Sequence, residues 1–417
     1  MGMIIHTAED KRVLYLKYFL CLVVGFAFLT YLHDVVKEAL TSPLKDFYHY
    51  FMNTKLLLQG YDIWKTDSPE LIAQTNLMVS QFGVSGKAEV LHSMGFFLIF
   101  SPFTFLAPKA ASLVWVMVCQ ISFILSIAVI VTSLEKFDIW KALCAAFLAF
   151  SFWPLREDLH LGQPNALILF LFSLSLLSLK HKKFLLAGIF LGLGIQVKEI
   201  FLPMLLFCAR KKYWKSLAGA LTSILFIKGA AIFAFGIDKE LSYWKHQLSF
   251  FSPVLNYTSA DGGIDYVSMS VIDLWHRLSD GLLQAGMSQF LIIIFFSFIL
   301  WRAWKLTAEN SLAPERLPLE FSCFVLLCFI FSPWIHETHF IVLVLPLLAS
   351  WLAIAHRPSH KGFILFSIAY CIVGLKYSFI SFPIFARGIL ASLLAVKAIG
   401  FLILFFLINS LLRADAR

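Results

Sequence analysis

Apolar residues fall along this chain in long runs rather than in alternation. Val13–Leu32, Ala110–Ser133, Leu283–Trp301 and Gly388–Leu411 are each about long enough to cross a hydrocarbon core of roughly 30 Å. Runs of that length predict helices, because in lipid every backbone amide and carbonyl must pair within its own segment. Polar stretches separate them. The pattern predicts an all-α, multi-pass transmembrane helical bundle of about 10–12 membrane segments. With no internal repeat and no soluble insertion, residues 1–417 read as a single polytopic membrane domain.

Composition agrees. The chain is 60% hydrophobic and 14% charged, whereas soluble domains carry about 25% charged residues. A formal net charge of +9 would suit nucleic acid, but the basic residues lie in short tracts between apolar runs. Lys180–Lys183, Arg210–Lys215, Arg302–Arg316, His356–Lys361 and Arg413–Arg417 all become cytoplasmic under one topology, as the positive-inside rule requires. The expected partner is therefore the lipid bilayer and not nucleic acid, with both termini cytoplasmic. Seven cysteines, an odd number embedded in apolar runs, form neither a disulfide framework nor a zinc spacing. The first run lacks a small-residue cleavage site and reads as a retained helix.

That topology places the long polar stretch 34–91 outside as the first extracytoplasmic loop. The tip around Lys198, between Lys183 and Arg210, falls on the same side, as do Asp238–Arg277, Ser332–His339 and Ser381–Arg387. Three apolar runs between Leu91 and Pro154 cannot join two outer loops. One must fail to cross, and His92–Pro108, interrupted at Ser101-Pro102, is the expected re-entrant segment.

Four polar groups at the outer ends could carry chemistry. In DFYHYFMNTKLLL, Asp46, Tyr50, Asn53 and Leu57 share one helical face. Asp46 is either a general base or the N-cap of that helix. In REDLHLGQPN, Gln163 and Asn165 lie at the start of a returning helix, where they would hold polar substrate groups, while Arg156 and Glu157 also suit an ordinary solvated loop. Lys198 in an apolar hairpin and Arg277 on an amphipathic segment could bind a lipid phosphate or snorkel to the interface. His336, Glu337 and His339 invite a metal reading, but the spacing is not that of a zinc hydrolase and no third strong ligand is visible. A hydrogen-bonding wall for sugar or phosphate fits better, and no metal or other cofactor is expected.

At these residues the sequence resembles the GT-C glycosyltransferases, and among them glycosyltransferase family 87, which uses polyprenyl-phosphate mannose. The motifs recur in family order: DFYHYFMNTKLLLQGYDIW, LHLGQPNALILFLF, LLAGIFLGLGIQVKEIFLP, YVSMSVIDLWHRL and SPWIHETHFIVLVLP. Trp64 stands where tyrosine is usual, Ser268 replaces an asparagine, His336 takes a tryptophan's place and Thr338 that of a histidine. The resemblance covers about residues 40–350. It implies an enzyme that transfers a hexose, mannose in the family, from a polyprenyl-phosphate donor to the hydroxyl of a glycolipid, polysaccharide or lipid-linked glycan. Inversion at the outer face of a bacterial inner membrane is implied with it. Asp46 would be the base, Lys198 and Arg277 would bind the donor phosphate, and Tyr50, Gln163, Asn165, His336, Glu337 and His339 would bind substrate. The rival readings are a transporter or flippase of lipid-linked sugars and a non-catalytic partner subunit. A transporter would favour inverted repeats and broken helices at the midplane, whereas the polar groups here gather at one face.

Overall fold

A computed structural model describes residues 8–41, 44–82, 92–133, 138–255, 268–279, 285–307, 316–376 and 395–414, and among them there are eighteen α-helices and no strand. The amino-terminal part comprises α1 (Ala8–Thr41), α2 (Lys45–Leu58), α3 (Pro69–Phe82), α4 (Met94–Phe100), α5 (Pro108–Ser133) and α6 (Ile139–Phe150). The centre holds α7 (Pro154–Leu161), α8 (Asn165–Lys180), α9 (Phe184–Val197), α10 (Met204–Arg210), α11 (Trp214–Phe235) and α12 (Ile237–Leu255). It is followed by α13 (Val271–Ser279), α14 (Ala285–Leu306), α15 (Leu317–Phe331), α16 (Val344–His356), α17 (His360–Gly374) and α18 (Lys397–Ala414).

The chain is an all-α multi-pass membrane protein. Six helical segments among the described residues are long and apolar enough to cross a bilayer, and seven if α7 and α8, bent by 120°, count as one. Five further apolar helices are shorter. α1, α11 and α14 present Phe26, Phe226, Phe233 and Phe290 outward, as helices that meet lipid do, while α15 is buried from Leu317 to Ile330 and forms the centre of the bundle.

Two close approaches build the part that matters for function. Gly188 and Gly192 of α9 and Gly219 of α11 meet backbone to backbone: a Cβ at Gly188 would lie 1.9 Å from the Ser216 carbonyl oxygen, and one at Gly192 2.5 Å from that of Ala220. Small residues at such spacing let apolar helices associate in lipid, where no hydrophobic effect drives them together. α8 packs antiparallel on the other side of α9. Between α9 and α10 the chain breaks at Lys198 and makes a 3-10 turn at Glu199–Phe201, so the hairpin expected between Lys183 and Arg210 is present with Lys198 at its tip.

Several boundaries differ from the sequence reading. α1 does not stop near Leu32 but runs through Asp34 to Thr41. Asp34 and Glu38 are tolerated there because α7 pairs with them: Arg156 Nε donates to Asp34 Oδ2 at 2.6 Å, and His160 Nδ1 lies 2.8 Å from Glu38 Oε2. Lys109 Nζ donates to the Ala39 carbonyl at 3.0 Å, near that helix's end. Arg156 is thus an interhelical partner rather than part of a solvated loop. The run 92–108 is two short pieces, α4 and a 3-10 turn at Ser101–Phe105 that carries Pro102. Glu199 pairs with Lys228 on α11 at 2.9 Å and accepts from the Tyr243 hydroxyl at 2.7 Å, not with its neighbour Lys198. Ser381–Arg387 lies outside the described residues.

Candidate active site

Asp46 enters the site on the first turn of α2. The residue at that helix's N-cap is Leu44, in the left-handed region at φ 42°, and no side chain caps the helix. Asp46 is therefore not the cap, and its carboxylate is available to the site. α2 is held in place by its buried face, where Tyr50 meets Phe96 edge-on with ring centroids 4.9 Å apart and Phe47 lies 5.6 Å from Phe100. The turn that closes α7 sits directly against it. Gly162, at φ 72°, would place a Cβ 2.9 Å from that of Phe47, and its carbonyl accepts from Trp115 Nε1 at 2.7 Å. A residue with a side chain there would meet both a disfavoured backbone region and the wall of α2.

After Gly162, Gln163-Pro164-Asn165 opens α8, and a chain of hydrogen bonds converges on it. Gln163 Nε2 donates to Asp46 Oδ2. On its other side, Gln163 Oε1 accepts from Lys198 Nζ at 2.8 Å. The same ammonium donates to Asn165 Oδ1 at 2.9 Å, and Asn165 Nδ2 donates to Asp158 Oδ1 at 2.7 Å. Carboxylate, amide, ammonium, amide and carboxylate thus alternate, each donor facing an acceptor. Lys198 reaches this point because the chain leaves the helix there, its backbone extended at φ −145° and ψ 115°. Burial pushes the Lys198 ammonium pKa below the ordinary lysine range, and the charges of Asp158 and Asp46 partly offset it. Asp46 and Gln163 are half-buried, whereas Asp158, Asn165 and Lys198 are buried.

Two members of the cluster were not singled out as site residues from the sequence, although Asp158 stood in the polar cluster REDLHLGQPN. Asp158 occupies one stripe of α7 with the buried Pro154, Leu155 and Leu159, and that apolar spacing was the available signal. His92, just before α4, places Nδ1 3.3 Å from the Val197 carbonyl oxygen and its ring 4.8 Å from that of Tyr50. Burial, with the charge of Lys198 adding to it, pushes His92 down to about 3, so it is neutral.

The later motifs reach the region unevenly. The 3-10 helix Glu337–Leu343 packs on α7 and α8. His339 lies where the charges of Lys198, His336 and His92 act on it, and its Nδ1 is buried without a hydrogen-bond partner among the described residues. Glu337 pairs with the buried Lys397 of α18. His336 lies against Trp334, ring centroids 4.9 Å apart. Ser268, which stands in an asparagine's place, donates to Asp273 and accepts from the Ile335 amide at 3.4 Å, while the Met269 amide donates to the Ile335 carbonyl at 2.7 Å. That pairing pins the start of α13 beside His336. Arg277 is buried on α13, which packs on α14, α15 and α18. The chain of bonds from Asp46 to Asp158 does not pass through it.

Fold and site together define a multi-pass α-helical membrane protein with an ionisable centre where α2, α7, α8 and the α9–α10 hairpin meet. The sequence profile of glycosyltransferase family 87 matches residues 91–333, more than half of the chain, and the chain belongs to that family. It is therefore a membrane glycosyltransferase. Neither a curated protein nor a solved structure matches it. The matched region contains His92, Asp158, Gln163, Asn165, Lys198 and Arg277, while Asp46 and the His336–His339 segment lie outside it.

Proposed function

We propose that this glycosyltransferase transfers a hexose, mannose by family resemblance, from a polyprenyl-phosphate donor to a hydroxyl acceptor at the extracytoplasmic face, with Asp46 as base and Lys198 as the donor-phosphate cation. The observation that carries this reading is the separation of the two groups by the single amide of Gln163. A base and a phosphate-binding cation must flank one sugar, and here both sit beside the same side chain.

The arrangement supports one displacement. Gln163 occupies Asp46 Oδ2, which leaves Oδ1 to take the acceptor's hydroxyl proton as its oxygen bonds to the anomeric carbon. The bond from that carbon to the phosphate oxygen breaks, and its electron pair leaves with the polyprenyl phosphate. Lys198 spends two of its three N–H donors on Gln163 and Asn165, so one remains for the leaving phosphate, where a fixed cation stabilises developing charge. A single displacement inverts the anomeric carbon. Tyr50 and His339 would shape the sugar pocket, with His336, Glu337 and Arg277 further out.

The test is release of polyprenyl phosphate from radiolabelled polyprenyl-phosphate mannose by the purified protein in detergent, with a membrane glycolipid extract supplying the acceptor hydroxyls. Asp46→Asn keeps an oxygen for Gln163 and removes the base, so release should fall by about 10² to 10⁴. Equal release by both proteins would take Asp46 out of the reaction.

A further inference from the structure

Asp158 takes no part in the displacement, yet it is the most deeply buried ionisable group in the hydrogen-bonded chain, only 1% exposed. One of its oxygens accepts from Asn165 at 2.7 Å, and the other has no hydrogen-bond partner among the described residues. Burial pushes the Asp158 carboxyl up to about 8, and what holds it in its charged form is the Asn165 side chain, the Lys198 ammonium and the Asn165 backbone amide. Its place in the chain supplies a reason for the burial. A primary amide presents either oxygen or NH2 to a neighbour, and a carboxylate on one side fixes which. Asp46 holds the NH2 of Gln163, so the Gln163 oxygen faces Lys198. Asp158 does the same for Asn165 from the opposite side.

We infer that Asp158 is a positioning residue for Lys198: by fixing the Asn165 amide it holds the ammonium between two amide oxygens and leaves one N–H pointing to the ligand. That the ligand is a lipid phosphate rests on the reading above; the positioning of Lys198 does not. With an amide in place of the carboxylate, the two amides can pair in either sense. Asn165 would then also present NH2 to the ammonium, which repels it. The variant also removes negative charge beside Lys198. The ionisable groups around that lysine are Asp46 from α2, Asp158 from α7, His92 before α4 and His339 from the 3-10 helix. Asp158 is the first of those whose charge favours the ammonium. Without it, Lys198 should lose its proton at lower pH.

Competitive acetylation of the purified full chain with acetic anhydride across a pH series, read at the Lys198 peptide by mass spectrometry, tests this. In Asp158→Asn the pH at which Lys198 becomes reactive should fall by roughly one unit or more, the effect of a neighbouring charge. Asp158→Asn combined with Asn165→Asp moves the carboxylate onto Lys198 itself, keeps the charge count, and should return the profile to the wild-type position or above. An unchanged profile in Asp158→Asn protein that melts at the wild-type temperature overturns the inference. If that variant does not fold, the double variant decides, and a profile below wild type overturns it. Donor cleavage is measured in parallel. Wild-type protein that releases no polyprenyl phosphate removes the donor reading and leaves the acetylation profile to judge Asp158.

Discussion

At the scale of single residues, the site depends as much on a position without a side chain as on those that carry charge. Gly162 closes α7 at φ 72°, with Phe47 2.9 Å from where a Cβ would be. Gly162→Ala forces a residue into the left-handed region at a cost of about 1–2 kcal/mol and pushes on the helix that carries Asp46. The variant should melt lower and also release polyprenyl phosphate more slowly, because Asp46 and Gln163 separate. Wild-type turnover in a protein that melts lower would show that the contact supports the fold only. Asp46, Gln163, Asn165 and Lys198 were legible in the sequence because each is a polar group beside long apolar runs, where it needs a reason to be present. Asp158 was not. It stands among Arg156, Glu157 and His160 in a stretch that reads as a polar loop, and only the fold of α7 turns it inward while Arg156 and His160 turn to α1.

At the scale of helices, the apolar runs gave the spans, and local interruptions gave the hairpin tip. The break at Lys198 is visible because Gln196, Lys198 and Glu199 interrupt an apolar run. The end of α1 is not visible, because what lets Asp34 and Glu38 stay helical is a set of partners more than a hundred residues away on α7. Distant pairing also governs the opposite end of the bundle. Lys211, between α10 and α11, and Glu320 of α15 form an ion pair at 2.7 Å with both side chains fully buried, and Arg316 stands 3.5 Å from the same carboxylate. Removing Lys211 leaves buried Glu320 with Arg316 as its cation, and breaking such a pair costs up to roughly 3–5 kcal/mol, whereas replacing both partners with apolar residues of similar size is often nearly neutral. Lys211→Met should therefore lower thermal stability sharply, and Lys211→Met with Glu320→Leu should recover at least half of the loss. Equal losses in both would mean that the pair is worth no more than its packing.

At the scale of the molecule, the basic tracts and the site occupy opposite ends of the same helices. Asn165 opens α8 and Lys180 closes it, a helix of sixteen residues and about 24 Å, while α9 returns from Lys183 to Lys198. The basic tracts also join one another. Arg210 Nε donates to the Trp304 carbonyl at 2.6 Å, Arg316 donates to that of Leu306 at 3.2 Å, and Arg302 feels the charge of Arg413. Collecting cations from four separate tracts at one end is what the positive-inside rule would produce at a cytoplasmic surface. On the proposed function, the Lys198 ammonium at the far end would then meet donors presented on the outer leaflet. Lys45, exposed beside Asp46, and Lys212, exposed in the basic cluster, can report the two sides. With the exposed Cys21 and Cys371 and the remaining cysteines first replaced, Lys45→Cys should react with a membrane-impermeant maleimide on intact cells. Lys212→Cys should react only after permeabilisation. The reverse pattern would put Asp46 and Lys198 on the cytoplasmic side, where the substrate would have to be a donor of the inner leaflet.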